Sequence, residues 1–212
     1  MGSRIMHAII ANGIAEKLCI QDKTSFILGG VAPDAVHSTE EKGTSHFYAG
    51  TTKNYTRRID FNSFFQKYRA HMDSPFLLGY YTHLIADDNW LSGFFLPWLK
   101  NRIENDETIA PMYYNDFKLL NAKLLHHYDK EQQLFSLLNQ EAHIVDIEEV
   151  SKENVLAFRK YLFEDMLYPE QHLHEDLQVF TFNQMVGYME TAIEKGAFYI
   201  NQLSNEKFIS KI

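Results

Sequence analysis

Within the apolar run from Phe76 to Leu99, the segment His83-Leu-Ile-Ala-Asp87 places an imidazole and a carboxylate one helical turn apart. Side chains four residues apart on a helix project from the same face, so this pair is spaced to grip one cation. Three further residues of ligand type precede it: His7 near the N-terminus, Asp34 in Ala-Pro-Asp, and His46 in Ser-His-Phe. A divalent metal of borderline softness takes imidazole nitrogen and carboxylate oxygen, and a catalytic site leaves one position for water. Water held there loses its proton near neutral pH and becomes a nucleophile. The five residues therefore suggest a His/Asp centre for a divalent transition metal and a metal-dependent hydrolase.

Each residue also has a plainer reading. A histidine on an apolar face is commonly a hydrogen-bonded core residue, an Asp after Pro commonly ends a turn, and His46 could be a surface loop residue. Asp88 competes with Asp87; the four-residue spacing from His83 favours Asp87 and leaves Asp88 solvated or behind a ligand. A carboxylate buried on the central stripe needs a cation, either a metal or a buried Lys or Arg, because an unpaired buried charge is very costly.

The elements that must position these groups are helical. Apolar residues recur at helical spacing almost throughout and alternating segments are scarce, so the chain reads as all-α, a single multi-helical domain over 1–212. Ser3 caps a first helix to about Cys19 that carries His7. A short helix from Thr24 is expected to end at Gly29-Gly30 and Pro33, leaving Asp34 at a helix-to-loop junction. Residues 35–58 read as the longest non-helical stretch, anchored by His46-Phe47-Tyr48. A helix over about 61–70 follows. Ser74-Pro75 starts a central buried helix to about Ile103, with a bend at Gly93 or Pro97. Further helices are expected over 115–128, 131–138, 152–167 and 177–203.

Composition narrows the function. In 212 residues with 45% apolar content there is enough material for a substantial core. A formal charge of −8 argues against a general nucleic-acid binder. Cys19 is the only cysteine, which excludes an intrachain disulfide and a Cys-based zinc site. With no signal-peptide pattern and no uncharged apolar run long enough to span a bilayer, a cytoplasmic location is expected.

The ordered set His7, Gly29-Gly30-Val-Ala-Pro33-Asp34, Ser45-His46-Phe47 and His83-x-x-x-Asp87 resembles the ligand motifs of the zinc-dependent phospholipase C and single-strand nuclease superfamily, over about residues 3–100. The resemblance implies an all-α fold and a site in which Asp34, His46, His83 and Asp87 hold one metal. It further implies that His7 helps hold a second ion bridged by Asp87, with Asp34 and Asp87 taking part in catalysis. The implied chemistry is hydrolysis of a small-molecule or lipid phosphoester. The family's N-terminal Trp ligand has no counterpart in Met-Gly-Ser, and no His lies between residues 84 and 125 to supply a third site, so the resemblance implies one or two ions, zinc foremost. His127 with Glu131, and Asp116, are outside candidates as ligands.

Lys53, Arg57 and Arg58 read as a solvated charge run that could instead face a phosphate, and His172 and His174 as surface residues. An HD-type phosphohydrolase is disfavoured because none of the ten histidines is followed by Asp. The alternative from another class is a non-catalytic helical protein that binds a metal or a partner.

Overall fold

The computed structural model describes residues 2–209, with side chains described to residue 203; Met1 and residues 210–212 of the expected domain lie outside the described residues. The fold is all-α, as the periodicity implies. Its strand content among the described residues is one antiparallel pair, β1 (Tyr48–Ala49) with β2 (Arg58–Ile59).

Helix α1 (Arg4–Lys17) starts where the Ser3 hydroxyl accepts from the Met6 amide, and almost all of Ile5 to Ala15 is buried. Such all-round burial marks a helix enclosed by others. Asp22 caps α2 (Lys23–Val31), which runs directly into a 3-10 turn over Ala32–Asp34. Gly29 and Gly30, expected to end α2, lie inside it. A Cβ at Gly29 would stand 1.9 Å from the Phe76 carbonyl oxygen, and one at Gly79 would stand 1.9 Å from that of Phe26. These glycines let the backbones of α2 and α5 (Pro75–Trp90) touch. Pro75 opens α5 as expected, although the Ser74 hydroxyl makes no capping bond.

The expected bend at Gly93 or Pro97 falls within a change of helix type. After Trp90 the central helix widens into a π-helical segment over Leu91–Leu99 and returns to α6 (Lys100–Asn105). Pro97 lies inside this segment, where its missing N–H and bulky ring disrupt α-helical bonding to the preceding turn.

The stretch 35–58 is shorter of loop than the composition suggests. Helix α3 (Thr39–Ser45) occupies part of it, started by a reciprocal capping box in which Ser38 and Glu41 bond each other's backbone N–H. Asp60 caps α4 (Phe61–Tyr68).

The second half provides the outer layer: α7 (Ile109–Tyr128), α8 (Glu131–Leu138), α9 (Lys152–Met166) and α10 (Phe182–Ile209). Helix α7 begins six residues before the expected Asn115, with Pro111 in its first turn, where a proline is tolerated. The last helix begins later than Leu177 because Asp116 takes up the amides of Gln178, Val179 and Phe180, at 2.8 to 3.0 Å. One continuous apolar core joins both halves. No helix among the described residues is long and apolar enough to cross a membrane.

Candidate metal centre

Four elements converge on one buried point. His7 comes from α1, Asp34 from the turn after α2, His46 from the end of α3, and His83 with Asp87 from adjacent turns of α5. The structure brings together all five residues singled out from the sequence. Two overlapping groups, His7/His83/Asp87 and Asp34/His46/His83, have ligand atoms close enough to hold a metal ion.

The hydrogen bonds set the orientation of the imidazoles. His83 Nδ1 lies 2.8 Å from the Gly30 carbonyl oxygen. A carbonyl only accepts, so Nδ1 carries the proton and Nε2 presents a lone pair. His46 Nδ1 lies 3.0 Å from the Lys42 carbonyl oxygen and 3.0 Å from Ser45 Oγ, whose own proton goes to the Pro33 carbonyl at 2.7 Å. His46 Nε2 is therefore a bare acceptor too. The two Nε2 atoms stand 3.4 Å apart, with Asp34 Oδ1 and Asp87 Oδ2 each 3.4 Å from that of His46 and Asp87 Oδ2 3.7 Å from that of His83.

The imidazole nitrogens and carboxylate oxygens named here are all acceptors, a set that a cation among them would compensate. Burial keeps both imidazoles neutral: it lowers the pKa of His46 against the pull of Asp34, and with His7 nearby it drives that of His83 well below the usual value. Burial opposes charge on Asp34 and Asp87 as well. Both carboxyls are nevertheless held below their ordinary range by nearby positive charge and hydrogen bonding, so both are ionised.

Asp87 divides its oxygens. Oδ2 faces His46 and His83, whereas Oδ1 lies 3.2 Å from His7 Nε2. The His7 ring stacks on that of His83 with centroids 3.8 Å apart, and neither of its nitrogens makes a well-formed hydrogen bond among the described residues. Because His83 has one free nitrogen, it can serve only one ion. A second ion at His7 would have to share Asp87.

His7, His46, His83 and Asp87 are all buried, and Asp34, 11% exposed at its side chain, is the ligand-type residue that reaches a cleft. Lys42 from α3 lies beside it, its Nζ 2.7 Å from Asp34 Oδ1. Burial disfavours the Lys42 charge, but the pairing raises its pKa. On the other side, Tyr48 tilts against the His46 ring at 5.3 Å, and Arg57 lies over Tyr48 at 4.8 Å. Phe47, between them, takes a left-handed φ of 51° that turns the chain out of α3. Its ring packs on Phe64 and its carbonyl accepts from the Asp60 amide, contacts that offset the cost of that conformation.

Sequence reasoning missed Lys42 and the hydrogen-bonding roles of Ser45 and of the Gly30 carbonyl. The Ser38-x-x-Glu41 signature would have revealed α3 and thereby the first two.

The outside candidates lie elsewhere. Asp116 is fully buried, but its oxygens are taken by three backbone amides. His127 is exposed and packs edge-on against Phe182, and neither it nor Glu131 belongs to either ligand group. His172 is buried rather than on the surface, while His174 is exposed. Asp88 accepts from the Ile59 amide at 3.0 Å and so ties β2 to the central helix. Arg57 is half-buried; Lys53 and Arg58 remain exposed.

No protein-family model matches the chain, and neither a curated protein sequence nor a solved structure does.

Proposed function

We propose that this chain is a metal-dependent hydrolase, and specifically a phosphoesterase related to the zinc-dependent phospholipase C and single-strand nuclease superfamily. The observation that carries the proposal is the lone-pair geometry: His46 Nε2 and His83 Nε2 face each other and two ionised carboxylates, with both Nδ1 protons committed to backbone carbonyls. Backbone carbonyls that fix ligand imidazoles in this way are the usual second layer of a metal site. Asp34, His46, His83 and Asp87 would hold a first ion, and His7 with the second oxygen of Asp87 would complete a place for another.

A divalent ion bound there would supply Lewis-acid charge, acidifying a coordinated water and neutralising a phosphoryl group. The residues of the chain do the rest. Asp34, facing the cleft, is placed to take a proton from an incoming nucleophile. Lys42 holds the Asp34 carboxylate in place and puts a positive charge at the entrance. The buried walls of α1 and α5 exclude bulk water from the far side.

One observation favours a second reading. Because four of the five residues are buried, an ion could instead serve only to fasten α1, α2, α3 and α5 together. Turnover separates the two. Protein purified without an affinity tag, stripped by chelation and reloaded with zinc or manganese, is expected to hydrolyse members of a phosphomono- and diester panel, and to lose that activity on chelation. Full metal loading with no turnover on either class would replace the hydrolase by the structural reading.

A further inference from the structure

The cleft that Asp34 reaches has a volume of about 780 Å³ and is walled by the N-terminal segment, the loop after Asp34, α7 and α9. That volume falls in the range of a small-molecule site. Its charge runs against that of the chain. Four cations line it, Arg4, Lys42, Lys118 and Lys160, against two carboxylates, Asp34 and Asp165, whereas the whole chain carries −8.

The carboxylates are already engaged. Arg4 makes a two-pronged pair with Asp165, at 2.7 and 3.0 Å, and Lys42 pairs with Asp34. Lys118 and Lys160 have no ion-pair partner among the described residues. Asn121, 7% exposed, lines the same cleft with its Oδ1 buried and without a hydrogen bond. Either end of that amide can occupy the position, so it offers an unused polar contact. Phe158 and Tyr161 stand edge to face at 67° beside the Arg4 guanidinium, 5.7 and 5.4 Å from it, and Lys160 Nζ lies 4.7 Å from the Tyr161 ring, so the aromatic side of the cleft carries cations.

Building on the hydrolase reading, we infer that this cleft is a subsite for a second anionic group, a phosphate or carboxylate carried on an apolar body, held apart from the bond cleaved at the metal centre. Lys118 and Lys160 supply the charge, Asn121 the hydrogen bond, and Phe158 with Tyr161 the surface against which the body lies.

The test is titration calorimetry with phenylphosphonate, which is not a hydrolysable ester, and with methylphosphonate, which lacks the ring. Both are run on the full chain, metal-free and zinc-loaded. Phenylphosphonate is expected to bind the metal-free protein more tightly than methylphosphonate does, with affinity falling as salt is raised. The Lys118→Gln/Lys160→Gln variant, checked for an unchanged melting temperature, is expected to bind it about fivefold more weakly in both metal states. Binding seen only when zinc is present, equal binding of the two probes, or undiminished affinity in the double variant would overturn the subsite. The metal-free measurement does not depend on turnover. An active enzyme without this binding defeats the subsite alone, and binding without turnover defeats the hydrolase reading alone.

Discussion

Lys42 Nζ and Asp34 Oδ1 lie 2.7 Å apart, and that same oxygen faces His46 Nε2 at 3.4 Å. A cation carried by α3 thus stands at the edge of the acceptor cluster, where an arriving metal ion would meet its charge. Lys42→Met is expected to raise zinc affinity about tenfold, because like charges at this range repel appreciably even when partly screened. The metal-free variant is expected to lose about 1 kcal/mol of stability, since Asp34 is then left without its partner. Zinc titration and thermal unfolding with and without chelator measure the two effects. Unchanged or weaker zinc binding would remove Lys42 from the account.

The division of the Asp87 oxygens between His7 and the His46/His83 side makes a stoichiometric prediction. Elemental analysis after dialysis is expected to find no tightly held metal in His83→Ala, a loss of no more than the second ion in His7→Ala, and full content in His174→Ala. Retention of all metal in His83→Ala would place the ion elsewhere.

The metal-free protein should weaken in mild acid. Burial lowers the pKa of both His46 and His83 in the folded chain, so below an unfolded value of about 6.5 the unfolded chain binds more protons. Stability is then complete above that value and falls as pH drops, by up to about 1.4 kcal/mol per pH unit for each histidine. Asp34 and Asp87, held low, add losses of the same sign in stronger acid. Urea unfolding between about pH 7.5 and about pH 5.5 should show this slope, and His46→Gln should flatten it. An equal slope in the variant would assign the effect to other groups.

Gly79→Ala puts a Cβ 1.9 Å from the Phe26 carbonyl oxygen, a backbone atom that can yield only if α2 moves off α5. Because Gly30 of α2 orients His83, the variant is expected to lose metal as well as several kcal/mol of stability. Gly187→Ala, on the open face of α10, meets nothing within 4 Å. It should leave metal content unchanged and stabilise the protein by about 0.5 to 1 kcal/mol. Thermal unfolding together with metal analysis on both variants distinguishes close helix contact from helix propensity.

Asp116→Asn weakens the acceptor of three backbone amides. A loss of about 2 kcal/mol with undiminished metal content is expected, read by urea unfolding and elemental analysis. Metal loss in a stably folded variant would return Asp116 to the list of ligands.

The sequence by itself was enough to identify the helical class and the five residues that meet at the centre. Helical periodicity is a local property, and His83 with Asp87 share a face by spacing alone. Ser3 and Pro75 likewise mark helix starts through local backbone chemistry. What required the tertiary structure depends on which backbones touch. Gly29 and Gly30 carry the same local signal whether they end a helix or admit a neighbour; only the approach of α5 at Gly29 and of α1 at Gly30 decides for the latter. The Gly30 and Lys42 carbonyls that fix the imidazole tautomers belong to the backbone and have no residue signature. Asp116, a ligand candidate by type, became an amide acceptor because residues 178–180 fold back over α7. The cleft charges come from helices far apart in the chain, so their excess over Asp34 and Asp165 exists only once α7 and α9 pack beside the N-terminal segment.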